Sequence, residues 1–166
     1  MNAYAGIGSR ETPSEFLHLA AKTAEHLSER GWLLRSGHAP GADQAFEGGC
    51  HGISEIYLPW PKFEADVPFH ALMVQDRPLP DAYEIAAHYH PAWNRLKHGA
   101  KALHARNVHQ VLGKDLDDPV KFVLYWTKGG KEVGGTAQAM RIAHGHEVPV
   151  YCLGTPEHWP KIAELL

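Results

Sequence analysis

The sequence predicts an α/β fold with a doubly wound, mostly parallel sheet of five strands and helices on both faces. Short, nearly continuous apolar runs, typical of strands buried on both faces, alternate with stretches in which apolar residues recur every three or four positions. Gly- and Pro-rich turns separate these stretches. The length of 166 residues suits one compact core, so we expect residues 1–166 to form a single domain.

The first half of the chain has the pattern of two strand–loop–helix units and a third strand. An apolar run at 3–7 predicts the first strand, and Ser14 is the predicted N-cap of a helix that continues until Gly31. The later predicted elements are a strand at 32–36, a Gly/Pro loop at 37–42, a short helix at 43–50 and a strand at 53–58.

The second half begins with segment 59–80, whose five prolines argue against a helix or a central strand. We expect this segment to be irregular and either to line a site or only to pack over the sheet, through Trp60, Phe63, Phe69 and Leu72. The remaining predicted elements are one or two helices at 81–90 and 92–112, a strand at 121–126, a helix at 137–146, a strand at 148–153 and a closing helix at 156–166.

Charge is distributed unevenly along the chain. The net charge of −3 at first argues against a nucleic-acid binder. However, segment 91–114 contains no acidic residue, and it carries five cations: Arg95, Lys97, Lys101, Arg106 and Lys114. A basic segment on an acidic body indicates either a localised anion site or a solvated helix face.

The sequence also bears on location and redox chemistry. No apolar run approaches the roughly 20 residues needed to cross a bilayer, and the first residues lack the pattern of a signal peptide. We therefore expect a cytoplasmic protein without membrane contact. Two cysteines, Cys50 and Cys152, cannot form a disulfide framework, and we expect buried or partly buried free thiols.

Three Gly-rich loops follow predicted strands, and ligands of doubly wound sheets bind at that edge. Gly8-Ser9-Arg10 offers backbone N–H groups and a guanidinium to a phosphate, or else Gly8 only makes the turn and Arg10 pairs with a surface acid. In the second loop Asp43 either accepts from a ribose hydroxyl or caps its helix. The third loop, 134–136, again opens a helix, so the three together predict phosphate or nucleotide binding.

Several motifs carry a resemblance to a known family. Four motifs resemble, in order, those of the Rossmann-like domain of the DNA-processing protein A (DprA/Smf) family. They are Gly8-Ser9-Arg10, the loop Ser36-Gly37 to Gly41-Ala42-Asp43, Arg106-Asn107 and Gly134-Gly135-Thr136. That family lies in the SLOG superfamily, together with the LOG nucleotide hydrolases. The resemblance implies a short, single-domain, phage-type relative with a Rossmann-like five-stranded sheet.

The resemblance also implies a function in DNA recombination or processing through binding of single-stranded DNA. That role would carry over to Arg10, His38, Arg106, Asn107 and Thr136 as phosphate or base contacts, although His38 and Pro40 depart from the usual loop. The full set of predicted nucleotide- or phosphate-binding residues is Gly8, Ser9, Arg10, Ser36, Gly37, His38, Gly41, Ala42, Asp43, Arg106, Asn107, Gly134, Gly135 and Thr136.

Two other functions are compatible with the same loops. A LOG-like enzyme would cleave a nucleoside monophosphate into base and ribose phosphate. At the position where LOG enzymes have a glutamate, this chain has Ala139, so Glu132, Glu47 or Asp43 would have to supply the carboxylate. A nucleotide sensor or sequestering protein needs no chemistry. For single-stranded DNA, Trp60, Trp93 or Tyr89 could offer a stacking surface, unless these aromatic residues belong to the core.

The chain contains thirteen histidines, an unusually large number. Glu84 and His88 have the spacing of a helical metal pair, but His88 and His90 would diverge, and we expect no metal and no cofactor. Histidines of the basic segment would instead strengthen anion binding below about pH 6.5. Exposed apolar strand edges and the habits of the relatives favour a homodimer or a higher homo-oligomer.

Overall fold

The computed structural model describes residues 1–166 and contains one sheet of six parallel strands. The spatial order of the strands is β4-β3-β2-β1-β5-β6. In chain order they are β1 (Ala3–Gly8), β2 (Leu33–Ser36), β3 (Ser54–Tyr57), β4 (Met73–Gln75), β5 (Val123–Trp126) and β6 (Val150–Cys152).

Six α-helices connect or follow the strands, and three short 3₁₀ segments lie at Trp93–Arg95, Lys128–Gly130 and Pro156–His158. The α-helices are α1 (Ser14–Glu29), α2 (Ala42–Gly49), α3 (Pro80–Tyr89), α4 (His98–Leu112), α5 (Gly134–Gly145) and α6 (Trp159–Leu165). No helix has the length and apolar character that crossing a membrane requires.

The alternation of side chains along the strands builds a core on each face of the sheet. In β1, Ala3, Ala5 and Ile7 pack into the core that α3, α4 and α5 cover, and Tyr4 packs into the core that α1, α2 and α6 cover. Cys50 and Cys152 are buried free thiols in these two cores. The α/β, Rossmann-like class predicted from the sequence is confirmed.

The predicted number of five strands is wrong, because β4 lies inside the proline-rich segment. Its three residues pair in parallel with β3, and hydrogen bonds from Leu72 N–H to Ser54 O and from Leu58 N–H to Gln75 O extend the pairing. Of the four side chains expected to pack over the sheet, Phe63 alone is buried, whereas Trp60, Phe69 and Leu72 are 36% exposed or more.

Three predicted helices also begin at other residues in the structure. Pro13 is the N-cap of α1, and Ser14 is its first helical residue without a capping hydrogen bond. Helix α5 begins at Gly134, three residues before the predicted start. The predicted helix 92–112 is divided, because a 3₁₀ turn at Trp93–Arg95 and extended backbone at Lys97 precede α4.

The strand order determines where a ligand could approach. The chain moves outward from β1 through β2, β3 and β4, and then returns to the other side of β1 to form β5 and β6. The connections above β1 and β5 therefore lead in opposite directions and leave a crevice at the carboxyl ends of these strands, the usual ligand position in such sheets.

Candidate functional site

A cleft of about 500 Å³ lies at the carboxyl ends of β1 and β5, between α4 and the N-terminus of α5. Side chains from α4 form one wall, and the loops after β1 and β5 form the others. Nine of the fourteen predicted site residues line it: Gly8, Ser9, Arg10, Asp43, Arg106, Asn107, Gly134, Gly135 and Thr136.

Arg106 is the central cation of this cleft. It is only 6% exposed, and its Nη1 donates to Gly37 O at 2.5 Å and to Tyr57 O at 3.5 Å, while its Nε donates to Asn107 Oδ1 at 3.2 Å. No carboxylate oxygen lies within 4.0 Å of the guanidinium. Burial lowers the pKa of Arg106, an effect that the charge of Asp43 partly offsets. Arg106 therefore presents a poorly compensated positive charge to the cleft.

Asp43 ties together the two loops at the carboxyl ends of β1 and β2. Its Oδ1 accepts from Gly8 N–H at 3.2 Å, and its Oδ2 accepts from Gly37 N–H at 3.2 Å and from Gln110 Nε2 at 3.4 Å. Burial raises its pKa to about 6, against the opposing effects of Arg106 and the backbone donors. The N-cap of α2 is Gly41, so Asp43 does not cap its helix in the predicted way.

The N-terminus of α5 forms the opposite wall. Asn107 Nδ2 donates to Gly135 O at 2.9 Å and thereby fixes the start of α5 against α4. The first turn of a helix has no internal acceptors for its N–H groups, and at Gly134, Gly135 and Thr136 these donors border the cleft. This helix end and Arg106 therefore offer donors to the same volume.

The loop after β1 contributes side chains more than backbone donors. Most backbone N–H groups of this loop already have acceptors within the protein. Gly8 N–H donates to Asp43 Oδ1 and Ser9 N–H to Trp126 O, while Glu11 N–H and Thr12 N–H donate to Ser9 Oγ and Ser9 O. The Arg10 side chain is 56% exposed, and its Nη1 lies 3.9 Å from Glu64 Oε1. Arg10 is thus an exposed cation at the mouth of the cleft, with a weak surface partner.

Five predicted site residues lie behind the cleft and do not line it: Ser36, Gly37, His38, Gly41 and Ala42. Ser36 Oγ donates to Gly6 O at 2.6 Å, and Ala42 N–H donates to Ser9 O at 3.4 Å. Gly41 has a φ of 91° and lies against the Ser9 carbonyl, a conformation and a contact that favour glycine. These residues hold the loops in place.

His38 is fully buried and faces away from the cleft. Its Nδ1 donates to Glu47 Oε2 at 2.6 Å, and its Nε2 lies 3.2 Å from Glu64 O and 3.1 Å from Val67 O. Burial alone would lower its pKa, but the hydrogen bond and charge of Glu47 raise it above the ordinary value. Because both ring nitrogens face acceptors, these contacts favour the protonated ring, and His38 anchors segment 59–72 to α2.

Sequence reasoning missed four polar residues of the cleft: Glu11, Gln110, Thr127 and Lys128. Gln110 follows Arg106 by one helical turn, so the spacing i, i+4 could have identified it. Thr127 and Lys128 follow β5 directly, and Lys128 is exposed, which adds a third cation to the cleft. Residues that follow a central strand could have been included on topological grounds.

The basic segment does not form one continuous wall of the cleft. Of its five cations, Arg106 alone lines the cleft, and Lys101 Nζ lies 5.4 Å from the ring centroid of Trp93. None of the three aromatic residues proposed for stacking lines this cleft: Trp60, Trp93 and Tyr89. The predicted stacking surface is therefore not in the cleft that holds Arg106.

The carboxylates considered for hydrolysis lie at different places. Asp43 lines the cleft, whereas Glu47 pairs with His38 and Glu132 Oε1 lies 2.5 Å from His144 Nε2 at the surface. Ala139 is fully buried in the core. No group of three or more His, Cys, Asp or Glu side chains is arranged to hold a metal ion.

Comparison with known proteins adds support for the fold. No protein-family model and no curated protein sequence matches the chain. A structure of DNA processing protein A from Helicobacter pylori, described for its single-stranded DNA binding mode, superposes with a TM-score of 0.61 at 15% identity, over 98% of this chain and 72% of that chain.

Two structures of the molybdenum cofactor carrier protein from Chlamydomonas reinhardtii are also similar. Their TM-scores are 0.56 and 0.55 at 16% and 14% identity, and each match covers 99% of this chain and 85% of that chain. At these identities the similarity establishes the fold. The resemblance to the Rossmann-like domain of DNA-processing protein A, first seen in the motifs, thus extends to the architecture of the whole chain.

Proposed function

We propose that the cleft binds the phosphate of a nucleotide unit and that the chain is a single-stranded DNA-binding module resembling DNA-processing protein A. The observation that carries this proposal is Arg106, a guanidinium only 6% exposed with no carboxylate within 4.0 Å. A buried charge without a direct counter-ion is costly, and a bound anion would supply the missing partner.

The surroundings of Arg106 support a phosphate. The N-terminus of α5 offers backbone N–H donors and the positive end of the helix dipole, and Arg10 and Lys128 add exposed cations at the rim. Glu11 and Asp43 are the acids of the cleft, and a carboxylate as buried as Asp43 can be neutralised by a proton when an anion binds.

The size and apolar lining of the cleft support a ligand larger than a bare phosphate. Its volume of about 500 Å³ falls in the range of small-molecule sites. Ile7, Ala39, Leu103 and Val133 provide apolar surface beside the cations. A nucleotide combines an anionic group with an apolar sugar and base, and it fits this pairing of walls.

The choice of single-stranded DNA rests on the motifs and on the similar Helicobacter pylori protein. A second candidate is a protein that binds a free nucleotide or a related small ligand without acting on DNA. One observation favours this second candidate. Among the five cations of segment 91–114, Arg106 alone lines the cleft, so the cleft has too few cations to bind many phosphate groups at once.

Fluorescence anisotropy of a labelled thymidine dodecamer, with thymidine 5′-monophosphate as competitor, tests the proposal. Each phosphate contacted on a single strand should lower the affinity about threefold between about 50 and about 200 mM salt. Arg106→Gln should weaken dodecamer binding about tenfold or more, since a hydrogen bond to a charged group is worth about 1.5–3 kcal/mol.

The control is Arg30→Gln, which removes an exposed charge at the end of α1, outside the cleft. The proposal is contradicted if the protein does not bind the dodecamer at low salt. It is also contradicted if Arg106→Gln and Arg30→Gln bind the dodecamer with equal affinity. Tight binding of the monophosphate together with no binding of the dodecamer selects the second candidate.

A further inference from the structure

A second cleft, of about 520 Å³, lies between the end of α3 and the start of α4. Ala87 and residues 90–95 line it. This part of the chain opens the basic segment recognised in the sequence, and the function proposed above assigns it no role.

The second cleft combines an aromatic ring with cations. The Trp93 indole is half-buried and lines the cleft, and Arg95 is exposed and forms no ion pair. Lys101 Nζ lies 5.4 Å from the centroid of the Trp93 ring. Since residues 91–114 include no acid, nothing in this segment neutralises these charges. A flat π surface beside cations is the combination that binds single-stranded nucleic acids.

His90 adds a neutral hydrogen-bond donor to the second cleft. Its Nδ1 accepts from Ala92 N–H at 3.0 Å, so in the neutral ring the proton is on Nε2, which has no protein acceptor. Burial and the charge of Arg141 lower the pKa of His90, which favours the same neutral ring. An Nε2–H donor that lines a cleft is free for a phosphate or base oxygen.

The two clefts are neighbours across the first half of α4. His104 contacts His90 with ring centroids 4.5 Å apart, and on the same helix Leu103 and Arg106 line the first cleft. The Nδ1 atom of His104 is buried without a partner. Arg106 of α4 and Arg141 of α5 both lie close enough to His104 to lower its pKa, so positive charge borders the surface between the two clefts.

We propose that the second cleft is a subsite for a further nucleotide of the same strand, with its base against Trp93 and its phosphate bound by Arg95 and His90. The inference rests on the proposed function, because the strand is held by its phosphate in the first cleft. A free mononucleotide in the first cleft does not extend to Trp93. The second cleft therefore distinguishes a strand from a single nucleotide.

The experiment compares thymidine 5′-monophosphate with a thymidine hexamer on the wild-type protein and on three variants. Arg95→Gln should leave monophosphate affinity unchanged and should reduce the salt dependence of hexamer binding by about 0.7 in the slope of log K against log salt, the value for one phosphate. Trp93→Ala should weaken hexamer binding about fivefold or more, and Trp93→Phe, which keeps an aromatic face, should restore most of it.

Arg30→Gln is the matched control for Arg95→Gln, because both remove an exposed guanidinium. The subsite is overturned if Arg95→Gln binds the hexamer as Arg30→Gln does, or if monophosphate affinity falls by the same factor as hexamer affinity. In either case a loss of both ligands in Arg106→Gln still supports the first cleft. If the wild-type protein binds neither ligand, the proposed function itself fails.

Discussion

Replacing Gly37 by alanine should displace Arg106 without changing any group that faces the cleft. A Cβ atom at position 37 would lie 2.5 Å from Gln110 Nε2 and 2.7 Å from Arg106 Cζ, closer than real Cβ contacts. Arg106 cannot retain its hydrogen bond to Gly37 O in that arrangement. The substitution therefore tests whether the position of the guanidinium, rather than its presence, determines binding.

The expected magnitude follows from two effects. Overpacking of a close-packed interior costs about 1–3 kcal/mol, and losing a hydrogen bond to a charged group costs about 1.5–3 kcal/mol. Both arise from one displacement, so we expect the free energy of unfolding to fall by about 2–4 kcal/mol rather than by the full sum. Affinity for the thymidine dodecamer should fall about tenfold or more, since Arg106 then no longer presents its free Nη2 to the cleft.

Urea unfolding and fluorescence anisotropy measure these two quantities. Gly48→Ala is the matched control: Gly48 lies in α2 with no atom near its added Cβ, so the same substitution should raise stability by about 0.5–1 kcal/mol and leave binding unchanged. A Gly37→Ala protein with wild-type stability and wild-type affinity would refute the argument that close packing against Gly37 positions Arg106.

Three further predictions concern the charged groups around the cleft. Asp43 has a folded-state pKa raised from 3.8 to about 6, so its contribution to stability is fully present below about pH 4 and is lost as the pH rises through about 6. The full component is about 3 kcal/mol by the size of the shift, and about 1.4 kcal/mol of it is lost between pH 5 and pH 7.5. Asp43→Asn should abolish this loss in urea unfolding compared with the wild type at these two pH values. His38→Gln should lower the free energy of unfolding by about 3–5 kcal/mol, because it removes one partner of the buried His38–Glu47 pair. The double variant His38→Gln/Glu47→Gln should recover part of the loss in thermal or urea unfolding. Lys128→Gln should weaken dodecamer binding about threefold at low salt and lower the salt slope by about 0.7, whereas Lys131→Gln, an exposed lysine outside the cleft, should change neither.

The alternation of strands and helices could be predicted because apolar periodicity is a local property of the sequence. Strand β4 could not be predicted in this way, since its three residues are too few to show an apolar periodicity. They are extended because they pair with the free edge of β3. The start of α1 was misplaced for a related reason: the sequence shows a serine suited to capping, but Pro13 already supplies the extended residue that precedes the helix.

The position of the cleft could also be predicted, because carboxyl ends of parallel strands meet at one edge of the sheet. The direction in which individual side chains point could not be predicted from the sequence. His38 occupies a position of the family motif, yet its φ of 60° turns the ring toward Glu47 and away from the cleft. The backbone donors of the loop after β1 were expected to bind an anion, but most of them bind acceptors within the protein, a pairing that only the folded chain brings about.

The hydrogen bonds of Arg106 have a consequence for selectivity. Two of its three guanidinium nitrogens are directed to Gly37, Tyr57 and Asn107, and Nη2 alone is left without a protein acceptor. Nη2 carries two N–H groups, but one nitrogen alone cannot form the paired, planar contacts by which two nitrogens of a free guanidinium recognise the geometry of an anion. Arg106 thus stabilises negative charge in the cleft without selecting one arrangement of the anion's oxygens. Selection among ligands therefore depends on the apolar walls of the cleft and on contacts that the rest of the ligand makes outside it.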